Sequence, residues 1–383
     1  MEVAVGKPYH LACILTSFKI GAGSVTTRTD FLYTHINACH NVAGEKLYNR
    51  KLFISLFITL AFLIMLTAIG GVFFIGCNRF FDAPPTVPSH VEIARPGTEN
   101  YDASPEIIAV MERKPLFFTF LIFGIDRGNN VDAIIVAALD VTNGEVYTIS
   151  IPRDTLVDAE RRLRKPVAAY SFGRRDGGGH EGGVAQMNAD VQTLFGFVPD
   201  FYVSLNYRAF VQMIDSVGGV EINVPFHMRY DDPTDNLRIN IPAGTQVLDG
   251  ERALQFARFR MANPGFRAIT DYQRMENQQQ IMHALFDELL SPQTITRVPE
   301  LIGIYQQYVN TNLTNREMLW FAAQLNDLRD AEFSTYTLPT TGTSGRPSWY
   351  ELPDKEAILE LINRTVNPFN YEITAEMVSI LEG

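Results

Sequence analysis

Cysteine is nearly missing from this chain of 383 residues: Cys13, Cys39 and Cys77 are the only three, and none follows position 77. Whatever folds beyond that point does so without disulfides, which argues against a stapled secreted scaffold. Histidine is sparse too. His180, His227 and His283 are scattered, no GxSxG motif occurs, and so neither a zinc site nor a Ser-His or Cys-His nucleophile is indicated. Positive charge is also short, with a formal net charge of −11. Residues 1–51 carry a balance of +3 and residues 52–76 carry no charge, so everything after them stands at −14. No general affinity for nucleic acid is expected of that part.

What the chain does have is a long apolar run. LFISLFITLAFLIMLTAIGGVFFIG, residues 52–76, exceeds the roughly 20 residues that a helix needs to cross a bilayer. It starts too far from Met1, and lacks the small-residue cleavage pattern, for a removed signal peptide. A transmembrane helix is therefore expected over 52–77, following a cytoplasmic segment 1–51 to which no role is assigned. Lys46, Arg50 and Lys51 precede the helix and favour that orientation, which puts the bulk of the protein outside the cell membrane. Residues 83–105 hold five of the twenty prolines, and 78–110 is expected as an extended linker. The main domain is expected over 111–364, with 365–383 as a tail.

Three apolar runs follow: Leu116–Ile125, Ala133–Leu139 and Val146–Ile151. Thr142-Asn143-Gly144 separates the last two and is a hairpin signal, so the simplest reading is a three-stranded meander. Its directions gather Asp126, Arg127, Asp132, Arg153 and Asp154 on one edge. Carboxylates mixed with arginines there suit a metal ion and a phosphate, although charged strand ends can equally be plain solvated termini.

Further along, RRLRK (161–165) is either a solvated loop or a patch that steers an anion, and the Gly-rich DGGGHEGG (176–183) reads as a mobile loop. It lacks the Lys-Ser/Thr of a P-loop. Helical spacing over Val184–Leu194 and Tyr207–Val217, with strands at Phe201–Leu205 and Val220–Val224, predicts an α/β fold: a mixed central sheet flanked by helices on both sides. In LDGERALQFARFRM (248–261), Arg258 and Arg260 share a face if the backbone is extended and diverge if it is helical. An amphipathic helix is expected from Thr270 or Asp271 to Leu290, with Arg274 and Gln278 together near its start. Two helices are expected over 298–329, a strand at Phe333–Leu338, a loop from Thr340 to Pro353 and a last helix, Asp354–Asn363.

The succession FGIDRG, VD before an apolar strand, SIPRD, AAYSFG, IDSVGGVEINV, LDGERALQFARFR and DYQRMENQ resembles the LytR-CpsA-Psr family over roughly residues 116–340. SIPRD, DSVGGV and ALQFARFR are the specific parts. The resemblance implies an α/β/α enzyme, anchored in the cell membrane, that transfers a glycopolymer from a polyprenyl diphosphate carrier to peptidoglycan through a phosphodiester. It implies that Arg153, Arg258, Arg260, Arg274 and Gln278 bind the pyrophosphate, and that Asp126 and Asp132 hold Mg²⁺ or, alternatively, Mn²⁺; Arg127 or Arg267 is the candidate substitute for a missing family arginine. Asp154 is by position the nearest candidate for the general base, or else a structural residue hydrogen-bonded to its own loop. It also implies an apolar slot for the lipid within the core. Departures are Asn129-Asn130, Lys165-Pro166-Val167, the extra residues 263–268 and Asn277. Two other readings stay open: a non-catalytic binder of lipid pyrophosphates, and a lipid pyrophosphatase using the same site.

Overall fold

The computed structural model describes residues 83–94, 107–126, 128–233, 237–291, 294, 298–324, 331–344 and 349–381. It divides into two units, Met1–Asn78 and Arg79–Gly383. The described residues all belong to the second unit. The expected membrane helix and Arg127 lie outside them, and among the described residues no helix is long and apolar enough to cross a membrane.

The chain enters through β1 (His90–Ala94) and β2 (Ile107–Glu112), an antiparallel pair. Part of the expected linker is thus folded: Ile93 is buried in the main core with Met111 of β2. β3 (Phe117–Ile125), β4 (Val131–Asp140) and β5 (Glu145–Ser150) form the expected meander, both contacts antiparallel. At the turn between β4 and β5, Asp140 accepts from the backbone and side chain of Asn143, and Gly144 takes the left-handed φ of 68°. Two helices, α1 (Ala169–Gly173) and α2 (Gly179–Phe195), then carry the chain to β6 (Phe201–Asn206), which lies parallel to β3. A crossover of this kind is what a parallel neighbour requires.

α3 (Tyr207–Ser216) ends at Gly218 and Gly219, whose φ of 95° and 99° stop the helix. β7 (Val220–Val224), β8 (Met228–Asp232), β9 (Leu237–Ile241) and β10 (Gly244–Leu248) make two small sheets, β7 with β10 and β8 with β9. α4 (Gly250–Arg258) and α5 (Asp271–Leu289) follow. Thr270, rather than Asp271, caps α5, in a capping box closed by Gln273. The remainder comprises α6 (Val298–Tyr308), β11 (Asn310–Thr311), α7 (Asn315–Gln324), β12 (Glu332–Thr337), β13 (Thr340–Ser344), β14 (Tyr350–Pro353) and α8 (Lys355–Arg364). β13 pairs with β14, so the expected loop at 340–353 contains a two-stranded sheet.

The central sheet has the order β11-β6-β3-β4-β5-β12 and is mixed. Period-two alternation decides what each face meets. From β3, Phe117, Leu121, Phe123 and Ile125 enter the main core with α2 and α8. Phe118 and Phe120, from the other face, meet Phe201, Trp320 and Phe321 in an aromatic cluster. α5 is tied to the sheet by Gln279, whose Nε2 donates to Ser150 Oγ at 3.1 Å and to the Tyr336 carbonyl at 3.2 Å. The segment after Arg364 also packs inward: Val366, Phe369, Ile373, Met377, Val378 and Ile380 belong to the main core.

The Gly-rich stretch is not a mobile loop: residues 175–177 form a 3-10 turn, and α2 begins at Gly179 and takes up the rest. The cause is close approach. A Cβ on Gly173 would stand 2.0 Å from the Gly182 carbonyl oxygen, and one on Gly183 would stand 2.5 Å from the Tyr170 ring. Glycine is required where α1 crosses α2, whatever its low helix propensity. Gly173→Ala is therefore expected to cost about 1–3 kcal/mol of stability in urea denaturation. Gly303→Ala, on an exposed position of α6 where an added Cβ meets nothing within 4 Å, is the control and is expected to stabilise by about 0.5–1 kcal/mol. Equal midpoints for the two variants would refute the packing account.

Candidate active site

Strand register brings the charged edge together. Ile135 of β4 pairs with Ser150 of β5; three residues beyond that pair, in opposite chain directions, lie Asp132 and Arg153. Arg153 Nη1 donates to Asp132 Oδ1 at 2.8 Å. The turn that carries Arg153 is pinned on several sides. Thr155 N and Oγ1 donate to the Pro152 carbonyl at 3.0 and 2.7 Å, Val167 N to the Arg153 carbonyl at 3.1 Å, and Glu351 N of β14 to the Asp154 carbonyl at 3.0 Å.

α5 supplies the second wall. Arg274, one turn into that helix, is only 6% exposed. Its Nη2 lies 3.0 Å from Asp271 Oδ1, its Nη1 lies 3.8 Å from Asp132 Oδ1, and its Nε is buried without a hydrogen-bond partner. Arg260 Nε reaches Asp271 Oδ1 at 3.9 Å. Arg258, in the last turn of α4, stacks over the Tyr207 ring at 4.6 Å, and the Tyr207 hydroxyl lies 3.5 Å from Asp132 Oδ2. The backbone turns extended at Phe259, with φ −60° and ψ 125°. Arg258 and Arg260 therefore line one cavity, as the extended alternative required. Gln278 donates to the Ala257 carbonyl at 3.4 Å and lines it as well.

That cavity, about 600 Å³, lies between the second face of the sheet and helices α3, α4 and α5. Its interior is apolar, with Ile122, Ile135, Leu205, Phe210, Met282 and Leu285 among its walls, while its polar lining includes Asp132, Arg153, Arg258, Arg260, Arg274 and Gln278. Small residues help to leave the space: Gly124 pairs with Ala133 across β3 and β4, and both line it. The electrostatics favour charge on the arginines. Burial works against the Arg153 guanidinium, yet Asp271, Asp132 and Asp154 outweigh it and hold its pKa above the ordinary value.

Other expected site residues are placed differently. Asp126 turns into its own loop, where Oδ1 accepts from the backbone of Gly128 and Asn130 at 2.7 and 2.8 Å and Oδ2 accepts from Asn130 Nδ2 at 3.1 Å. Asp154 is held by Lys165 Nζ at 2.8 Å and stands 4.0 Å from Arg153 Nε. The basic stretch 161–165 divides: Arg161 is buried in a two-point ion pair with Asp190, at 2.6 and 2.5 Å, while Lys165 joins the site. Sequence reasoning did not single out Tyr207 or Asp271 as site residues, and named Lys165 only within the basic stretch 161–165. The i, i+3 spacing of Asp271 and Arg274 was the available signal for one of them.

Comparison with known proteins agrees with this architecture. The chain matches the LytR_cpsA_psr family model over residues 97–367. It is 31% identical over 223 residues to the polyisoprenyl-teichoic acid–peptidoglycan teichoic acid transferase TagV of Bacillus subtilis, a match covering 55% of this chain and 52% of TagV. The chain thus spans about half the length of that relative. The corresponding transferase TagU of Bacillus cereus is 27% identical over 282 residues, covering 71% of this chain and 85% of TagU. The crystal structure of B. subtilis TagV aligns with a TM-score of 0.54 at 25% identity, over 66% of this chain and 98% of that one. The family model spans well over half of the sequence, and the mixed sheet flanked by helices is the fold of TagV: the chain belongs to the LytR-CpsA-Psr family.

Proposed function

We propose that this chain is a phosphotransferase that moves a glycopolymer from a polyprenyl diphosphate carrier to peptidoglycan, leaving a phosphodiester link. One observation carries the reading: an apolar cavity of about 600 Å³ shares its lining with four arginines, and one of them, Arg274, has a buried Nε without a hydrogen-bond partner. An apolar chamber beside clustered guanidiniums suits an apolar tail joined to a diphosphate. Arginine neutralises such an anion in pairs of parallel hydrogen bonds and does not titrate away. The names of TagV and TagU, transferases of teichoic acid to peptidoglycan, support the reaction class. The anchor expected at 52–77 would hold the domain outside the cell membrane, within reach of both carrier and wall.

In the reaction, an acceptor hydroxyl attacks the phosphorus that bears the glycan. A new P–O bond forms, the bond from that phosphorus to the bridging oxygen breaks, and polyprenyl phosphate leaves with the electron pair. Phosphoryl transfer of this kind depends on positioning and on charge stabilisation. Arg153, Arg258, Arg260 and Arg274 supply the charge, Gln278 a neutral donor, and Asp154, whose side chain is 40% exposed beside Arg153, takes the hydroxyl proton.

The family resemblance implies Mg²⁺, with Mn²⁺ as the alternative. The donor set fits a hard cation that draws most of its ligands from phosphate and water. Asp132 Oδ2 is met by the Tyr207 hydroxyl at a long 3.5 Å and is the lightly engaged oxygen, whereas Asp126 Oδ2 would have to give up its hydrogen bond from Asn130 at 3.1 Å. Asp126 and Asp132 would hold the ion, which when bound supplies further positive charge to the phosphate oxygens.

Two measurements test the reading. Arg153→Ala or Arg258→Ala is expected to lower the transfer rate by about 10²–10³, equivalent to about 2–4 kcal/mol, when products from a lipid diphosphate-linked glycan and peptidoglycan fragments are followed by mass spectrometry. Full activity of the double variant would sink the proposal; product with water as sole acceptor would make the chain a pyrophosphatase, and tight binding without product a binding protein. Separately, Asp132 engages the same guanidiniums that a diphosphate would use, and with a cation held at Asp132 those donors would be available to the phosphates. Farnesyl diphosphate is expected to bind about tenfold more tightly with Mg²⁺ than with EDTA, and Asp132→Asn to abolish the difference in calorimetry. Equal affinities in the wild-type chain would contradict this coupling.

A further inference from the structure

One side of the Arg153 turn faces the apolar cavity; the other is covered by β14. Thr155 forms a parallel bridge with Glu351, closed by hydrogen bonds from Glu351 N to the Asp154 carbonyl at 3.0 Å and from Leu156 N to the Glu351 carbonyl at 2.8 Å. The residues around Glu351 are aromatic. Trp349, two positions before it, is 66% exposed, whereas Trp320, the other tryptophan of the chain, is 5% exposed. Tyr350 carries the ammonium of Lys165 over its ring at 5.2 Å, and the same ammonium bonds Asp154 Oδ1 at 2.8 Å. Tyr272, 39% exposed in the first turn of α5, donates from its hydroxyl to Glu351 Oε2 at 3.1 Å and meets Thr340 Oγ1 at 2.9 Å. None of Tyr272, Trp349, Tyr350 and Glu351 lines the apolar cavity.

Packing accounts for Tyr350, which holds Lys165, but not for an indole and a phenol left open beside it. Exposed aromatic surface concentrated at one edge marks contact with another molecule. The direction of the reaction says which. In a phosphoryl transfer the attacking and leaving oxygens lie roughly in line. The leaving polyprenyl phosphate belongs to the cavity, so the attacking hydroxyl comes from the opposite side, where Asp154 and β14 stand. Ring faces rimmed by a carboxylate and hydroxyls suit a sugar, whose C–H faces stack on aromatic rings and whose hydroxyls donate to an oxygen such as Glu351 Oε2.

We propose that Trp349, Tyr272 and Glu351 form the binding site for the acceptor glycan and present one of its hydroxyls to Asp154. The inference rests on the reading of the apolar cavity as the site of the lipid diphosphate. Trp349 and Tyr272 supply stacking faces, Glu351 accepts from a sugar hydroxyl, and Tyr350 keeps Lys165 against Asp154. The Arg153 turn then separates the two substrates, with the donor on its cavity side and the acceptor on its β14 side.

The test uses the full-length chain and two probes: farnesyl diphosphate, and a carrier-free tetrasaccharide of alternating N-acetylglucosamine and N-acetylmuramic acid. Because Trp320 is buried, acrylamide quenching of tryptophan emission reports Trp349. The tetrasaccharide is expected to protect the wild-type chain from quenching. In calorimetry, Trp349→Ala is expected to weaken the tetrasaccharide about tenfold and to leave farnesyl diphosphate unchanged, whereas Trp349→Phe, which keeps a stacking face, retains most of the affinity. In transfer assays Trp349→Ala is expected to raise KM for peptidoglycan fragments with little change in kcat. Unchanged tetrasaccharide affinity in Trp349→Ala would overturn the assignment, as would an equal loss of farnesyl diphosphate binding, which would place the edge in the donor site. Protection by phosphatidylglycerol vesicles but not by the tetrasaccharide would overturn it in favour of a membrane contact. Failure of the wild-type chain to bind farnesyl diphosphate, with the tetrasaccharide still bound at Trp349, would instead overturn the reading of the apolar cavity.

Discussion

The Asp132–Arg153 ion pair is the contact on which the arrangement of the site depends. It exists because β4 and β5 pair in one register, with Ile135 opposite Ser150, and each chain runs three residues past that pair to the same edge. Alternation alone would aim Asp132 at the main core with Ile134 and Val136; the irregularity in the β3–β4 pairing, where Gly124 meets Ala133 but Ile125 meets Val131, leaves Asp132 as the extra residue and turns it to the cavity. The register is in turn held by the apolar alternation of β4, whose Ile134, Val136 and Ala138 belong to the main core. Packing in the core therefore fixes chemistry at the edge. Asp132 then sets the position of Arg274 as well, at 3.8 Å, and Asp271 holds Arg274 and Arg260 from the other side. Four guanidiniums would repel one another in a partly dry pocket, and the two aspartates offset that repulsion while leaving the positive charge in place.

The apolar cavity follows from a different constraint. Protein interiors close-pack and leave few voids larger than a water molecule, so a space of about 600 Å³ has to be built. Here the second face of the sheet thins toward the site. Phe118 and Phe120 fill the far end with an aromatic cluster, whereas farther along β3 that face carries Ile122 and then Gly124, opposite Ala133. α5 crosses above and is kept at its distance by the Gln279 hydrogen bonds to Ser150 and Tyr336. The sheet therefore changes from core to chamber within one strand.

Much of this was legible in the residues themselves. The meander, the Asn-Gly turn, α3, α5 and the charged edge all come from local signals: period-two alternation, a capping residue, glycines after a helical face. What was not legible came from contacts between distant segments. The stretch 176–183 looks like a loop because its glycines disfavour helix, yet the approach of Gly173 to Gly182 makes glycine the only residue that fits. β13 and β14 form where the chain folds back against the Arg153 turn, with Glu351 bonded to Asp154, a pairing that no pattern within 340–353 announces. Tyr207 and Asp271 were hidden for another reason. Each begins a helix, and a polar or aromatic residue at a helix start is ordinary until its neighbour in space is known. Arg258 and Arg260 stood between these cases, since their shared face depended on the single extended residue Phe259 between them.

The basic run at 161–165 shows how the site is held rigid from the inside. As a surface patch it would draw anions by a long-range field that salt screens. The structure uses it more locally. Asp190, on α2 in the main core layer, grips Arg161 by both carboxylate oxygens, and Arg161 donates onward to the carbonyls of Leu163 and Lys165 at 2.9 Å. Lys165 then reaches Asp154, and Val167 bonds the Arg153 carbonyl. Charge-assisted and backbone hydrogen bonds, joined through the covalent chain from Lys165 to Val167, thus tie a buried aspartate to the turn that carries the arginine facing the cavity. A buried ion pair of this kind contributes little net stability against an apolar pair of the same size. Its effect is positional: an arginine on a turn would otherwise sample many rotamers, and here its guanidinium is held facing the cavity.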